Sequence, residues 1–234
     1  MSFGLGHGRT LDDAPGVVGV TPQELPPLPD DIVTNREAGR LDPRAWFPES
    51  SQPFEIEIGS GKGAFLLQYG AQHPKTNLLG IEWAHEFYLY TADRIRRRGL
   101  GHVRVLHTDA TEFLRWRVPS EIIRVVHLYF SDPWPKSRHH KKRVVQDGFL
   151  AEARRVLVPG GELRIVTDHA DYWRWMEERF ARWTSPEHAT PYERRDFQPP
   201  EGTGEGELVG TNFERKYRVE GRPFNATTLV KPVG

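Results

Sequence analysis

The chain contains no cysteine. That excludes disulfides, thiolate zinc sites and cysteine nucleophiles, and it fits a cytoplasmic protein. No stretch reaches eighteen consecutive apolar residues, so no membrane span is predicted. The first twenty residues lack a basic segment followed by an apolar one, so no signal peptide is predicted. Net charge is also absent, because 32 Lys and Arg balance 32 Asp and Glu. Taken alone, neutrality argues against a non-specific nucleic-acid binder, although clustering matters more than the sum. The ten histidines form no metal-ligand pattern, since His139 and His140 are adjacent and sit among cations. No metal is predicted, no internal repeat is visible, and no feature calls for an obligate protein partner.

With 234 residues, 37% hydrophobic and 27% charged, the chain can bury one sizeable core. Residues 1–45 are rich in Gly, Pro and Asp, and Pro22 to Pro29 cannot form helix or central strand. They are read as an extended or disordered arm, with residues 46–234 as the folded domain. From Pro53 strands and helices alternate. Strands are predicted at 54–58, 77–82, 103–108, 123–130 and 162–167. Helices are predicted at 63–72, 85–98 (with Phe87, Ala92 and Ile95 inward), 111–116, 144–157 (stopped by Pro159-Gly160-Gly161) and 171–183 (capped by Asp171). Residues 186–210 read as loop, and 213–219 and 227–230 close the sheet as strands, or as a short helix and a strand. This alternation means an α/β fold, a mostly parallel sheet with helices on both faces and an antiparallel C-terminal strand.

Residues 123–143 organise the chain. Ile123 to Phe130 is an apolar, β-branched run, a strand buried on both faces. Ser131-Asp132-Pro133-Trp134-Pro135 ends it, because two prolines remove backbone donors. Lys136 to Arg143 follows with five basic residues, two histidines and no acid. In open α/β sheets, ligands bind outside the carboxyl ends of the strands. A carboxylate, an indole and a basic run there point to a reactive centre facing a polyanion. A second basic cluster, Arg94 to Arg98, reads as a solvated helix face unless it shares a surface with the first.

Glu57-Ile58-Gly59-Ser60-Gly61-Lys62-Gly63 follows the first strand and opens the first helix. It is not a P-loop, which would need a glycine at Ile56 and Ser or Thr at Gly63. It is a poor dinucleotide fingerprint, because the third glycine comes one residue early. An acid two residues before Gly-x-Gly-x-Gly is the pattern of S-adenosylmethionine (SAM) sites in Rossmann-like methyltransferases. Glu57 suits a ligand with an ammonium and a sulfonium and would oppose a pyrophosphate. Glu82 ends the second strand, where an acid can reach ribose hydroxyls. Asp109 ends the third, where it can accept from an adenine amino group or cap the next helix.

On Glu57–Gly63, Gly80–Glu82, Thr108–Ala110, Tyr129–Arg143, Thr167-Asp168 and Thr211–Glu214, the chain resembles the bacterial tRNA (guanine-N7)-methyltransferases. The Asp-Pro-Trp-Pro-Lys-x-Arg-His block is the specific one, whereas the glycine loop marks the superfamily. The resemblance implies a class I Rossmann-like methyltransferase domain that moves a methyl from SAM to N7 of the variable-loop guanine in tRNA (position 46 in tRNA numbering). It implies SAM contacts from Glu57, Gly59, Gly61, Gly63, Glu82, Asp109 and Asp132. It implies guanine or tRNA contacts from Lys136, Asp168, Thr211, Asn212, Phe213 and Glu214. Arg138, His139, His140, Lys141, Lys142 and Arg143 are implied to touch RNA. Ser137 stands where a second lysine is expected, and nothing carries over to the N-terminal arm.

The chemistry fits these residues. Guanine N7 has a lone pair and no proton, so no base is needed. The protein must align nucleophile, methyl and sulfur, and steady a cationic ring. Asp132 is the candidate catalytic residue, as a fixed negative charge. Asp168 and Glu214 can accept from the Watson–Crick edge; alternatively Asp168 caps the following helix and Glu214 pairs with Arg215 or Lys216. Trp134 stacks on a base or packs on the loop prolines. Two other functions remain open: an adenine or cytosine amino-group methyltransferase, whose loop carries Asn/Asp-Pro-Pro-aromatic instead, and a non-catalytic RNA-binding protein on the same fold.

Overall fold

Short apolar runs become strands wherever turn residues bound them. The computed structural model describes residues 5, 6, 8–201 and 203–233. They form two compact units, one running to Pro119 and the other starting at Ser120.

The first unit carries strands Gly19–Val20 (β1), Phe54–Ile58 (β2), Asn77–Glu82 (β3) and Val103–His107 (β4). Its helices are Ala64–Gln72 (α1), His85–Arg98 (α2) and Ala110–Trp116 (α3). The strands lie in the order β1-β4-β3-β2, every pairing parallel. All residues of β2 and β3 are buried, which is why they read as continuous rather than alternating runs. Helix α2 ends on Gly99 in a left-handed conformation, with Arg96, Arg97 and Arg98 in its last turn, where cations complement the helix dipole. Its buried face holds Tyr88, Ala92 and Ile95; the predicted Phe87 is only half-buried.

The segment read as an extended or disordered arm is anchored at several points. Gly19 and Val20 pair with Val105 and Leu106 as an edge strand. Val18 and Val20 are buried. Tyr88 donates its hydroxyl to Asp13 at 2.8 Å, and Arg104 donates to the Gly16 carbonyl at 3.0 Å. The Val18-Gly19-Val20 triplet is short, so its strand character is hidden by the surrounding Pro and Gly.

The second unit carries strands Ile123–Tyr129 (β5), Leu157–Thr167 (β6), Glu193–Arg195 (β7) and Asn225–Val230 (β8), in the order β5-β6-β8-β7. β5 and β6 are parallel; β8 pairs antiparallel with β6 and with β7, so the antiparallel C-terminal strand is present. The helices are Asp147–Val156 (α4), Ala170–Trp183 (α5) and Asn212–Val219 (α6).

Several sequence boundaries move. Helix α4 starts three residues later than predicted and β6 starts at Leu157, five residues early. Pro159-Gly160-Gly161 does not end the pairing; it loops out within β6, and the register with β5 shifts there. A Cβ on Gly161 would lie 3.1 Å from the Arg124 carbonyl oxygen and 3.2 Å from that of Ile123, so only glycine fits that approach. Helix α5 is capped by His169, whose ring accepts the Tyr172 amide at 3.2 Å, and not by Asp171, which lies in the first turn. Residues 186–210 contain β7, too short and too charged to read as a strand. Among the described residues no helix is long and apolar enough to cross a membrane.

Candidate active site

The glycine loop of the first unit is held by backbone and carboxylate together. The Gly59 amide bonds the Ile81 carbonyl at 2.9 Å, and the Gly61 amide bonds Glu82 Oε2 at 2.7 Å. Glu82 Oε1 accepts the Ala84 amide, also at 2.7 Å. Glu82 therefore ties the end of β3 to the loop after β2. Gly63 sits at φ +68° as the N-cap of α1, and a Cβ there would fall 2.4 Å from Thr91 Cγ2. Thr91 also donates to the Gly61 carbonyl at 2.8 Å.

Glu57 is an unsettled acid of this unit. It is 4% exposed, and its Oε2 has no hydrogen-bond partner. Burial, and then the Glu82 charge, push its carboxyl up to about 8. A buried carboxyl with an orphan oxygen and a like charge beside it is a place for a cation. Asp109 fills the capping role. It caps α3 by accepting the Thr111 and Glu112 amides and the Thr111 hydroxyl, all at Oδ1. Oδ2 makes none of these bonds.

In the second unit the loop after β5 is strained. Phe130 and Trp134 lie at φ +54° and +42°. Non-glycine residues there cost about 1–3 kcal/mol each, and such strain collects at functional sites. The two bracket Asp132 and Pro133. Asp132 is exposed, and among the described residues its carboxylate has no hydrogen bond or ion pair. Trp134 is half-buried, edge-on to His139 with Lys142 Nζ 4.6 Å above its ring, so neither base stacking alone nor proline packing describes it.

The basic run separates into two kinds of residue. Lys136, Arg138, Lys141 and Lys142 are exposed. His139 and His140 are half-buried, His140 against the Trp175 ring at 5.2 Å. Arg143, read as an RNA contact, is instead buried with a side chain 1% exposed. Its Nε bonds the Pro133 carbonyl at 2.8 Å, its Nη2 bonds Asp171 Oδ2 at 2.7 Å, and its guanidinium lies 5.0 Å from the Trp175 ring centre. The arginine braces the Asp-Pro-Trp-Pro loop against α5. In the first unit, Arg96 and Arg97 are ion-paired to Asp93, and Arg94 bonds the Lys62 carbonyl, so that cluster is less free than a solvated face.

Glu214 is also corrected. It is fully buried and accepts the amides of Leu208, Val209 and Gly210 together with Nε and Nη2 of Arg218. Five donors saturate both oxygens, leaving none for guanine, and its ion-pair partner is Arg218 rather than Arg215 or Lys216. Thr211 caps α6 by accepting the Glu214 amide at 3.1 Å. Phe213 is exposed, 6.1 Å from the Tyr217 ring. The Asn212 side chain lies outside the described residues. Asp168 is 13% exposed and bonds Arg222 Nη1 at 2.8 Å. Its alternative role as helix cap is taken by His169. Arg143 and Arg222 pair across 28 and 54 positions of sequence, with no local pattern to mark them, whereas the Glu214–Arg218 pair has the i,i+4 spacing of a helix and is legible once α6 is read as one. Among the described residues no cluster of three His, Asp or Glu is placed to hold a metal ion.

The fold is that of a methyltransferase of the class I Rossmann-like group. The chain superposes on the crystal structure of the 16S rRNA methyltransferase KamB with a TM-score of 0.53 at 13% identity, covering 89% of this chain and 95% of that one. Residues 51–224 match the family model described as "Putative methyltransferase". A tRNA (guanine-N(7)-)-methyltransferase of Alkalilimnicola ehrlichii is 35% identical over 193 residues, 82% of this chain and 74% of that protein. Its namesake in Halorhodospira halophila is 35% identical over 170 residues, 70% of each chain. That of Corynebacterium diphtheriae is 36% identical over 146 residues, 62% of this chain and 56% of its own length. The chain belongs to the tRNA (guanine-N7)-methyltransferase family.

Proposed function

We propose that this chain transfers a methyl group from SAM to N7 of the variable-loop guanine of tRNA. The observation that carries the donor side is the buried Glu57 carboxyl with its orphan oxygen. An α-ammonium at Oε2 would supply the missing donor, offset the cost of burial and hold Glu57 ionised. Glu82, which holds the Gly61 and Ala84 amides, would also accept from ribose hydroxyls, and Asp109 Oδ2 would take the adenine amino group. When bound, SAM supplies an electrophilic methyl on a sulfonium.

The acceptor side needs cations for phosphate and an acceptor for the guanine edge. Lys136, Arg138, Lys141 and Lys142 are exposed for the first task. Asp168 suits the second, leaving N7 to meet the methyl. Among the described residues Asp132 is a carboxylate without a partner on a strained loop, suited to steady positive charge on the ring. It is not assigned as a base, because N7 carries no proton. The Asp-Pro-Trp-Pro order favours ring nitrogen over an exocyclic amine, whose enzymes carry Asn/Asp-Pro-Pro-aromatic there. Methyl-labelled SAM and unmodified tRNA test the reading: label is expected on N7 of guanosine, and label on an exocyclic amine, or none, contradicts it.

A further inference from the structure

Asp168, unlike Asp109 and Glu82, has no local duty among the described residues. Asp109 caps its own helix and Glu82 braces the glycine loop, whereas the cap after Asp168 is supplied by His169. The Asp168 side chain is 13% exposed, yet its one ion pair among the described residues comes from 54 residues away. Arg222 Nη1 holds Oδ2 at 2.8 Å, and among the described residues Oδ1 has no partner.

Arg222, with a side chain 45% exposed, is held by contacts of its own. Its Nη2 pairs with Glu220 Oε2 at 2.8 Å, its guanidinium lies 4.1 Å from the Tyr217 ring centre, and its amide bonds the Tyr217 carbonyl at 3.0 Å. A planar guanidinium stacked on an aromatic ring loses little further freedom when it grips a carboxylate. Its grip fixes the rotamer of Asp168 and leaves one oxygen unused.

We propose that Arg222 is a positioning residue for guanine recognition: by holding Asp168 Oδ2 it sets Oδ1 to accept from the exocyclic amino group of the target base. The inference rests on the reading of Asp168 as the guanine acceptor. Without Arg222 the carboxylate rotates, and the selectivity that depends on its placement is lost along with rate.

The test compares full-length wild type, Arg222→Ala and Arg222→Lys on two tRNAs, one with guanosine and one with inosine at the target position. Inosine keeps N7 and N1–H but lacks the amino group. Wild type is expected to prefer guanosine by about tenfold or more in kcat/KM, since an unanswered buried acceptor is costly. Arg222→Ala is expected to lose most of that preference and to lower kcat on guanosine tRNA by about tenfold, with KM for SAM unchanged. Arg222→Lys keeps a point charge near Oδ2 and should restore part of both. A preference unchanged in Arg222→Ala overturns the inference, as does a wild type that does not distinguish the two tRNAs. If Arg222→Ala does not fold, Arg222→Lys decides: a reduced preference supports the inference and an intact one overturns it. Failure of wild type to methylate guanine N7 at all is a separate result that removes the proposed function itself.

Discussion

The side chain of Arg143 donates through Nε to the main-chain carbonyl of Pro133 at 2.8 Å. The last cation of the basic run thus acts on the loop that opens it. Replacing Arg143 by Ala frees the loop and leaves Asp171 with only its longer pairing to Arg174, at 3.4 Å, among the described residues. The expected cost is roughly 2–3 kcal/mol of stability and a lower kcat. Lys141→Ala and Lys142→Ala should leave the melting temperature within a degree or two. Each should weaken tRNA binding and reduce its salt dependence by about one unit of slope. Melting curves and binding titrations at several salt concentrations separate the two kinds of residue.

Glu57 gives a pH dependence with a definite sign. Its folded carboxyl titrates near 8, above the ordinary value of 4.5, so the folded protein holds a proton that the unfolded chain releases. Stability of the ligand-free protein therefore falls as pH rises from about 4.5 to about 8. A cationic ligand needs the ionised form, so SAM affinity should rise about tenfold per pH unit up to about 8. Glu57→Gln should remove that part of the pH dependence in calorimetric titrations. Equal slopes in both proteins would remove Glu57 from the donor site.

Gly63→Ala places a methyl against Thr91 at a left-handed position. Left-handed strain alone costs about 1–2 kcal/mol, and the clash adds to it. SAM affinity and thermal stability should both drop. A second change, Thr91→Ser, removes the clashing methyl and should recover part of each loss.

Glu214→Ala leaves three amides, two of them buried, and the Arg218 guanidinium without their acceptor. The expected loss is about 3–5 kcal/mol, the cost of breaking a buried, hydrogen-bonded charge. Hydrogen exchange at Val209 and Gly210 should quicken even at low temperature. A stable variant with selectively weakened guanine recognition would restore Glu214 as a substrate contact.

Elements with a strong period were legible in the sequence. β3 and α2 have the predicted bounds, because a six-residue apolar strand and a fourteen-residue helix ending in Arg-Arg-Arg-Gly leave little choice. β6 was read five residues short because Pro-Gly-Gly signals a stop whether the chain turns away or merely loops out. The anchoring of the N-terminal segment was illegible for a different reason: a two-residue strand and a Tyr88–Asp13 bond carry no local pattern. At the site, residue type was readable but duty was not. Arg143 and Glu214 look like an RNA contact and a base acceptor in the sequence, and burial alone shows them to be braces.

Mapping the methylated nucleotide decides whether this chain acts on guanine N7. Wild-type protein, labelled SAM and two unmodified tRNAs suffice, one natural and one with the variable-loop guanine changed to adenine. The account predicts label on guanine N7 at that single position of the natural tRNA and none in the altered one. Equal labelling of both tRNAs, or label on an exocyclic amine, would contradict it.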